Sequence, residues 1–191
     1  MMAGDDGGAP VGRAGPDGRG RRSVVEVLAD RTAVQIRPIG PDDIDDLVAF
    51  HEGLSFQTIY RRFFGGHPHL GSAEARHFCV LDEPGRFALV AHVDRRIVGV
   101  ARMEPSEVAT TAEVAFVIAD DFQRRGLGRI LAQRLATIAT ERGITDLVAD
   151  VLSDNRPMLR LLPAAGLPVT VTYSHGVARV SSHLPPPGAR P

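Results

Sequence analysis

Apolar positions recur along this chain with two different periods, and the switches between them mark its elements. Over VVEVL and VQIRPI, on either side of a polar Asp30-Arg31-Thr32, near alternation predicts two short strands about a turn. Gly40-Pro41-Asp42-Asp43 then offers a helix cap. Ile44, Leu47, Val48 and His51 stand three and four residues apart, so IDDLVAFHEGL reads as a helix. A second helical segment follows Ser55 through FQTIYRRFF to Gly65-Gly66, and a shorter third opens at Ser72. RFALVAHV and RIVGVARM alternate again around Asp94-Arg95, which predicts a hairpin, and TAEVAFVIA adds a strand up to Asp120. Leu127, Leu131, Leu135 and Ile138 return to helical spacing until Gly143 supplies a stop. DLVADVL is an apolar strand, NRPMLRLLPAAGL a short helix that Pro163 should shorten or kink, and VTVTYSHGVARVSS a closing hairpin around His175-Gly176. The order predicts an α+β domain whose mixed, mainly antiparallel central sheet is flanked by helices.

Composition narrows this to one domain. With 191 residues and 43% apolar content the chain can bury a sizeable core once, spanning residues 23–184. Residues 1–22 are Gly, Pro, Asp and Arg with little to bury, and 185–191 are proline-rich; both read as disordered tails. A formal net charge of -1 gives no drive toward nucleic acid. No apolar run is long enough to span a bilayer and no signal-peptide core is present, so the expected location is cytoplasmic. Cys79 is the only cysteine, which excludes an internal disulfide, and its setting in Phe78-Cys79-Val80-Leu81 suits burial rather than nucleophilic chemistry.

The chemistry-bearing stretch is FQRRGLGRILAQRL, residues 122–135. A helix N-terminus leaves N–H groups unsatisfied and carries partial positive charge, so it binds anions where no side chain obstructs the approach. Gly126 and Gly128 permit that approach, and Arg124, Arg125 and Arg129 add charge for a diphosphate. A solvated basic first turn is the plainer reading, but cations are misplaced at that end of a helix. Leu131 stands where a dinucleotide fingerprint needs its third glycine, and a chain without lysine cannot form a Walker loop.

Gln123-Arg124-Arg125-Gly126-Leu127-Gly128 resembles the Q/R-x-x-G-x-G/A signature of the GNAT superfamily of acyl-CoA-dependent N-acetyltransferases. Asn155, Met158, Leu161 and Gly166-Leu167 resemble its second motif, so the likeness covers about residues 34–180. VQIRPIGPDDIDDLVAFHEGLS, YRRFF and HPHL are further similar to the acetyltransferase domain of bacterial Pat-type protein lysine acetyltransferases. That resemblance implies acetyl-CoA as co-substrate, no metal, and a protein lysine on an acyl-CoA synthetase as acceptor. A small-molecule amine and a non-catalytic acyl-CoA sensor are the alternatives.

The resemblance also assigns residues. The N–H groups of Arg125 through Arg129 would grip the pyrophosphate, with Gln123 and Arg124 in the same loop. Phe116, Val117 and Ile118 would pair their backbone with the pantetheine, the Val117 N–H also meeting the thioester oxyanion. Asn155 would cap the following helix and bond the coenzyme. Glu113 matches the position of the family's catalytic glutamate and shares a sheet face with Ala115 and Val117, so it is the expected base; Glu104 and Glu107 are weaker candidates. One departure is plain: Leu162 occupies the position of the family's frequent tyrosine acid, which leaves Tyr173 or water for that role. His67 and His69 lack a nearby third ligand and read as loop residues rather than a metal site.

Overall fold

The computed structural model describes residues 14–16 and 22–185. Ala14–Pro16 (β1), inside the segment expected to be a tail, pairs with Arg22–Val27 (β2), whose first residue belonged to that segment too. The remaining residues of both expected tails, save Pro185, lie outside the described residues.

From β2 onward the elements follow the hydrophobic pattern. Ala33–Pro38 (β3) leads into Ile44–Glu52 (α1), Phe56–Phe63 (α2) and Ser72–Cys79 (α3). Phe87–Val93 (β4), Arg96–Pro105 (β5) and Thr111–Ile118 (β6) form the antiparallel centre. Leu127–Glu141 (α4) then crosses to Asp146–Leu152 (β7), which pairs parallel with β6. Two single turns, Arg156–Leu159 (α5) and Leu161–Ala164 (α6), precede the hairpin of Thr170–Ser174 (β8) and Val177–His183 (β9). Among the described residues these strands make one sheet in the order β1-β2-β3-β4-β5-β6-β7-β9-β8, antiparallel except at β6 and β7.

Helices cover both faces, and one glycine sets how closely. A Cβ on Gly99 would lie 3.0 Å from Ile118 and 3.2 Å from both Leu127 and Leu131, so α4 reaches β5 and β6 only because that position has no side chain. Leu127, Leu131 and Leu135 are fully buried there, worth about 1.5–3 kcal/mol each against leaving them exposed. The opposite face carries α1, α2 and α3; on it, Arg102 of β5 donates to the Phe78 carbonyl of α3 at 3.0 Å. Pro163 divides the expected single helix as anticipated, because it cannot donate to the carbonyl four residues earlier, that of Leu159, where α5 ends.

The cap expected within Gly40-Pro41-Asp42-Asp43 is different in kind, and Asp43 shows why. Its carboxylate accepts two hydrogen bonds of 2.7 Å from the Arg37 guanidinium and one of 2.9 Å from the Gly40 N–H, and it makes no cap to α1. It forms a buried ion pair that fixes the turn before that helix.

Candidate active site

The parallel pair is short, and a cleft opens where it ends. β6 and β7 are in register at Thr111↔Asp146, Ala112↔Leu147 and Glu113↔Val148, and then part. β6 stays paired with β5 to Ile118, and β7 with β9 to Leu152, so each strand turns an unpaired edge toward the gap. The gap belongs to a cleft of about 840 Å³ whose walls include β6, α2, the loop before α4, and α5.

Ladder parity decides which backbone groups face that cleft. Ala119 donates to the Val98 carbonyl at 3.0 Å and Ser106 to the Thr111 carbonyl at 3.2 Å, with unbroken register between them. In an antiparallel ladder the bonded residues alternate, so Glu113, Ala115 and Val117 turn their N–H groups toward β5. Val114, Phe116 and Ile118 turn theirs the other way: the Val114 N–H completes the last rung with Val148 of β7, and those of Phe116 and Ile118 face the gap. The expected use of the Val117 N–H is therefore corrected: its donor is committed to the sheet, and the Phe116 N–H occupies the open edge. The Ile118 carbonyl on that edge accepts from the Gln123 side chain at 3.1 Å.

Glu113 stands at the apex of the fork, exposed and lining the cleft. Its cross-strand neighbour is Glu104, on the same face. The two carboxylates have different settings. Glu104 accepts from Arg86 at 2.7 Å and from Arg102 at 3.1 Å, two buried arginines, and is committed to holding them. Burial draws the Arg102 guanidinium down to about 10 against the opposing pull of Glu104. Glu113 has no hydrogen bond or ion pair among the described residues, so its lone pairs are available to a proton donor in the cleft. Glu107, in the loop after β5, is not part of the cleft wall.

The loop before α4 presents bare backbone. Gly126 adopts φ +92°, and a Cβ there would meet nothing within 4 Å, so the bare backbone faces open space. Gly128 is a glycine for another reason: its Cβ would lie 3.1 Å from Leu161 of α6. The first bond of this turn runs from the Ile130 N–H to the Gly126 carbonyl, and among the described residues the N–H groups from Arg124 through Arg129 have no acceptor. Leu127 sends its side chain into the core and offers only its backbone. Arg124 and Arg129 line the cleft. Arg125 does not, which corrects its expected charge role: it is tied to Asp30 at 2.6 Å and Thr32 at 2.7 Å in the β2–β3 turn and lies 4.3 Å over the Phe122 ring.

One contact set missing from the sequence reading docks α2 beside this loop. Asp120 accepts from the Ser55 N–H at 2.8 Å and from the Ser55 and Thr58 hydroxyls at 2.7 Å each, while Gln123 reaches Thr58 at 3.0 Å. Burial pushes the Asp120 carboxyl up, but the hydrogen bonds from Ser55 and Thr58 outweigh it and hold the group below its ordinary value of 3.8. A depressed carboxylate stabilises the fold fully above the unfolded value and loses that contribution as pH falls through the folded one. Asp120→Asn should therefore lower stability at neutral pH by no more than about 1 kcal/mol, because the carboxylate is exposed and its charge is screened, with the gap from the parent closing below about pH 3.8. Urea unfolding at pH 7, 5 and 3 measures this; a gap independent of pH would detach the carboxylate's ionisation from stability, and no gap at pH 7 would detach the network.

Across the cleft Asn155 accepts from the Met158 N–H at 3.4 Å, capping α5, and its amide nitrogen has no acceptor among the described residues. Leu162 is buried in the core. Tyr173 is 65% exposed on β8 and Tyr60 43% exposed on α2, and neither lines the cleft, so both tyrosines of the chain lie outside it. His67 is structural: it pairs with Glu74 at 3.0 Å, stacks on Phe63 at 4.3 Å, and its carbonyl meets the His51 ring at 2.8 Å. Asp43, Asp46 and His92 are close enough to share an ion, but they lie away from the cleft, and the Arg37 cation already occupies Asp43.

A fork between parallel strands, a bare helix N-terminus at its mouth and a free carboxylate at its apex together suit transfer of an acyl group from an extended, diphosphate-bearing carrier. Comparisons with known proteins agree in kind. Residues 54–166 match the model of the acetyltransferase (GNAT) family. Acetyltransferase Pat of Mycolicibacterium smegmatis is 31% identical over 159 residues, 79% of this chain but 46% of that protein, so the chain spans about half the length of that relative. An acetyltransferase of Pseudomonas aeruginosa is 31% identical over 146 residues, 74% of this chain and 78% of that one. The crystal structure of the GNAT domain of S. lividans PAT superimposes with a TM-score of 0.79 at 31% identity, covering 85% of this chain and 97% of that one. Among the described residues no helix is long and apolar enough to cross a membrane.

Proposed function

Because the chain belongs to the GNAT family of acetyltransferases and is an N-acetyltransferase, we propose that it moves the acetyl group of acetyl-CoA to the ε-amine of a protein lysine. The observation that carries this reading is the fork, with Glu113 at its apex and the unfilled N–H groups of Arg124 through Arg129 at its mouth. The lysine acceptor is supported by the Pat-like front half of the sequence and by the relatives named Pat.

Each residue has a part that its position allows. The Arg124 to Arg129 backbone receives the pyrophosphate, helped by the charges of Arg124 and Arg129. The open edge of Phe116 and Ile118 offers a strand-like partner to the pantetheine amides, and the side chain of Val117 lines the same wall. The Asn155 amide closes the far side. A lysine ammonium has an ordinary pKa near ~10.4 and must lose a proton before it can attack. Glu113 accepts that proton, directly or through water, and the amine then attacks the thioester carbonyl. Phe116 donates its N–H to the oxygen that gathers charge. With Leu162 in the core and no tyrosine in the cleft, water protonates the departing thiolate, whose pKa of ~8.5 makes strong acid assistance unnecessary.

The test is CoA thiol release from acetyl-CoA by the purified protein, offered an acyl-CoA synthetase in one series and small amines in another, with mass analysis of the products. Release with one acetyl group gained on a synthetase lysine is expected. Release with small amines alone would overturn the lysine acceptor and leave the N-acetyltransferase in place.

A further inference from the structure

The charges in the cleft do not balance. Among the described residues Arg61, Arg62, Arg124, Arg129 and Arg160 line it without an ion pair, while of its acids Asp150 is paired with Arg179 at 2.9 Å and Asp120 is engaged with Ser55 and Thr58. Glu113 is the one carboxylate left. Arg124 and Arg129 flank the glycine loop and are accounted for by a diphosphate. Arg61, Arg62 and Arg160 are not.

Arg62 is the most telling of the three. It sits on α2, half-buried, with its guanidinium 5.1 Å from the Phe63 ring centre and no hydrogen bond or ion pair among the described residues. Burial lowers its pKa against the pull of Glu113 and Glu104. Withdrawing a guanidinium from water without a partner is costly, and its planar fork of donors fits a carboxylate. Phe64, the left-handed residue that ends α2, is 41% exposed and lines the same cleft.

We propose that Arg62, supported by Arg61, forms an anion subsite beside Glu113 that selects a protein segment carrying an aspartate or glutamate next to the modified lysine, with Phe64 at the cleft wall receiving an apolar neighbour. The proposal rests on the lysine acceptor reading above and narrows it. Positive charge at Arg61 and Arg160 completes the complementarity to an acidic segment and repels a basic one.

The test uses amino-terminally blocked peptides with one central lysine and apolar flanks, bearing Asp, Ala or Arg beside the lysine, with free glutamate as the small-amine arm. The ratio of kcat/KM for the Asp peptide to that for the Arg peptide should be at least about tenfold, an ordinary size for one charged contact. Arg62→Gln should bring that ratio to within about twofold, and Arg62→Lys should keep part of it. Phe64→Ser should raise KM for the Asp peptide. Because each ratio is taken within one protein, a general loss of folding cannot imitate the result. Titration of the same peptides, fluorescein-labelled, onto CoA-saturated protein reads the subsite without turnover. Discrimination in binding without transfer would sink the catalytic reading and keep the subsite. Transfer without discrimination, a ratio unchanged in Arg62→Gln, or transfer to glutamate and no peptide would each overturn the subsite.

Discussion

Replacing Glu113 with glutamine should lower kcat by roughly 10²- to 10⁴-fold, the ordinary worth of a positioned general base, while the affinity for acetyl-CoA stays near that of the parent. At pH 7.5 only about one lysine in a thousand is neutral, so an enzyme that must wait for that fraction is slow. Glutamine keeps the size and the strand position but cannot take a proton. The pH profile therefore separates this role from a structural one. The parent should run flat through neutral pH, whereas the variant should climb about tenfold per unit toward the lysine pKa and recover part of its rate at alkaline pH. The neighbouring carboxylate cannot substitute, because Glu104 is held by Arg86 and Arg102. A glutamine variant as active as the parent, or one depressed equally at every pH, would remove the base assignment.

How far this site could be read from the sequence follows from which signals are local. The placement of Glu113 and of the glycine loop on one cleft was legible because strand alternation fixes a face and a helix start leaves backbone donors bare, each within a few residues. The same alternation does not say which of two neighbouring backbones points out of a ladder. Val117 was therefore expected where Phe116 stands, and only the bonds at Ala119 and Ser106 settled the parity. Arg125 was misassigned for a related reason: its partners Asp30 and Thr32 lie more than 90 residues away in the chain. The Asp120 network with Ser55 and Thr58 and the Arg86, Glu104 and Arg102 cluster are likewise long-range, and nothing in spacing announces them. Both lie where α2 and α3 meet the sheet, so what was missed is what fixes the acceptor side of the cleft. The fold itself was the more legible part, since the Leu127, Leu131 and Leu135 stripe and the two-residue turns at Asp94-Arg95 and His175-Gly176 are local signals. Asp94 and Arg95 both take positive φ, 48° and 69°, as a tight hairpin turn requires.

The two glycines of the loop should respond differently to substitution. At Gly126 the backbone sits at φ +92°, a conformation that a β-branched residue adopts only under strain, and its absent side chain leaves the anion seat bare. Gly126→Val should cost about 1–2 kcal/mol of stability from the left-handed backbone alone. A side chain beside the free N–H groups should also weaken acetyl-CoA binding by roughly 30-fold or more, about 2 kcal/mol. At Gly128 the backbone is helical and the neighbour 3.1 Å away is the flexible end of Leu161. Gly128→Ala thus sets the helix-forming gain of alanine against a small displacement of α6, and binding should change by no more than about threefold. Calorimetric titration of acetyl-CoA into both variants, with melting curves alongside, makes the comparison. If Gly126→Val binds like the parent, the N–H groups of this loop are not where the pyrophosphate rests, and the assignment of Arg124 and Arg129 to it falls too. A Gly128→Ala variant that loses binding as severely would mean that the packing of α4 on α6, rather than the bare backbone, is what the loop requires.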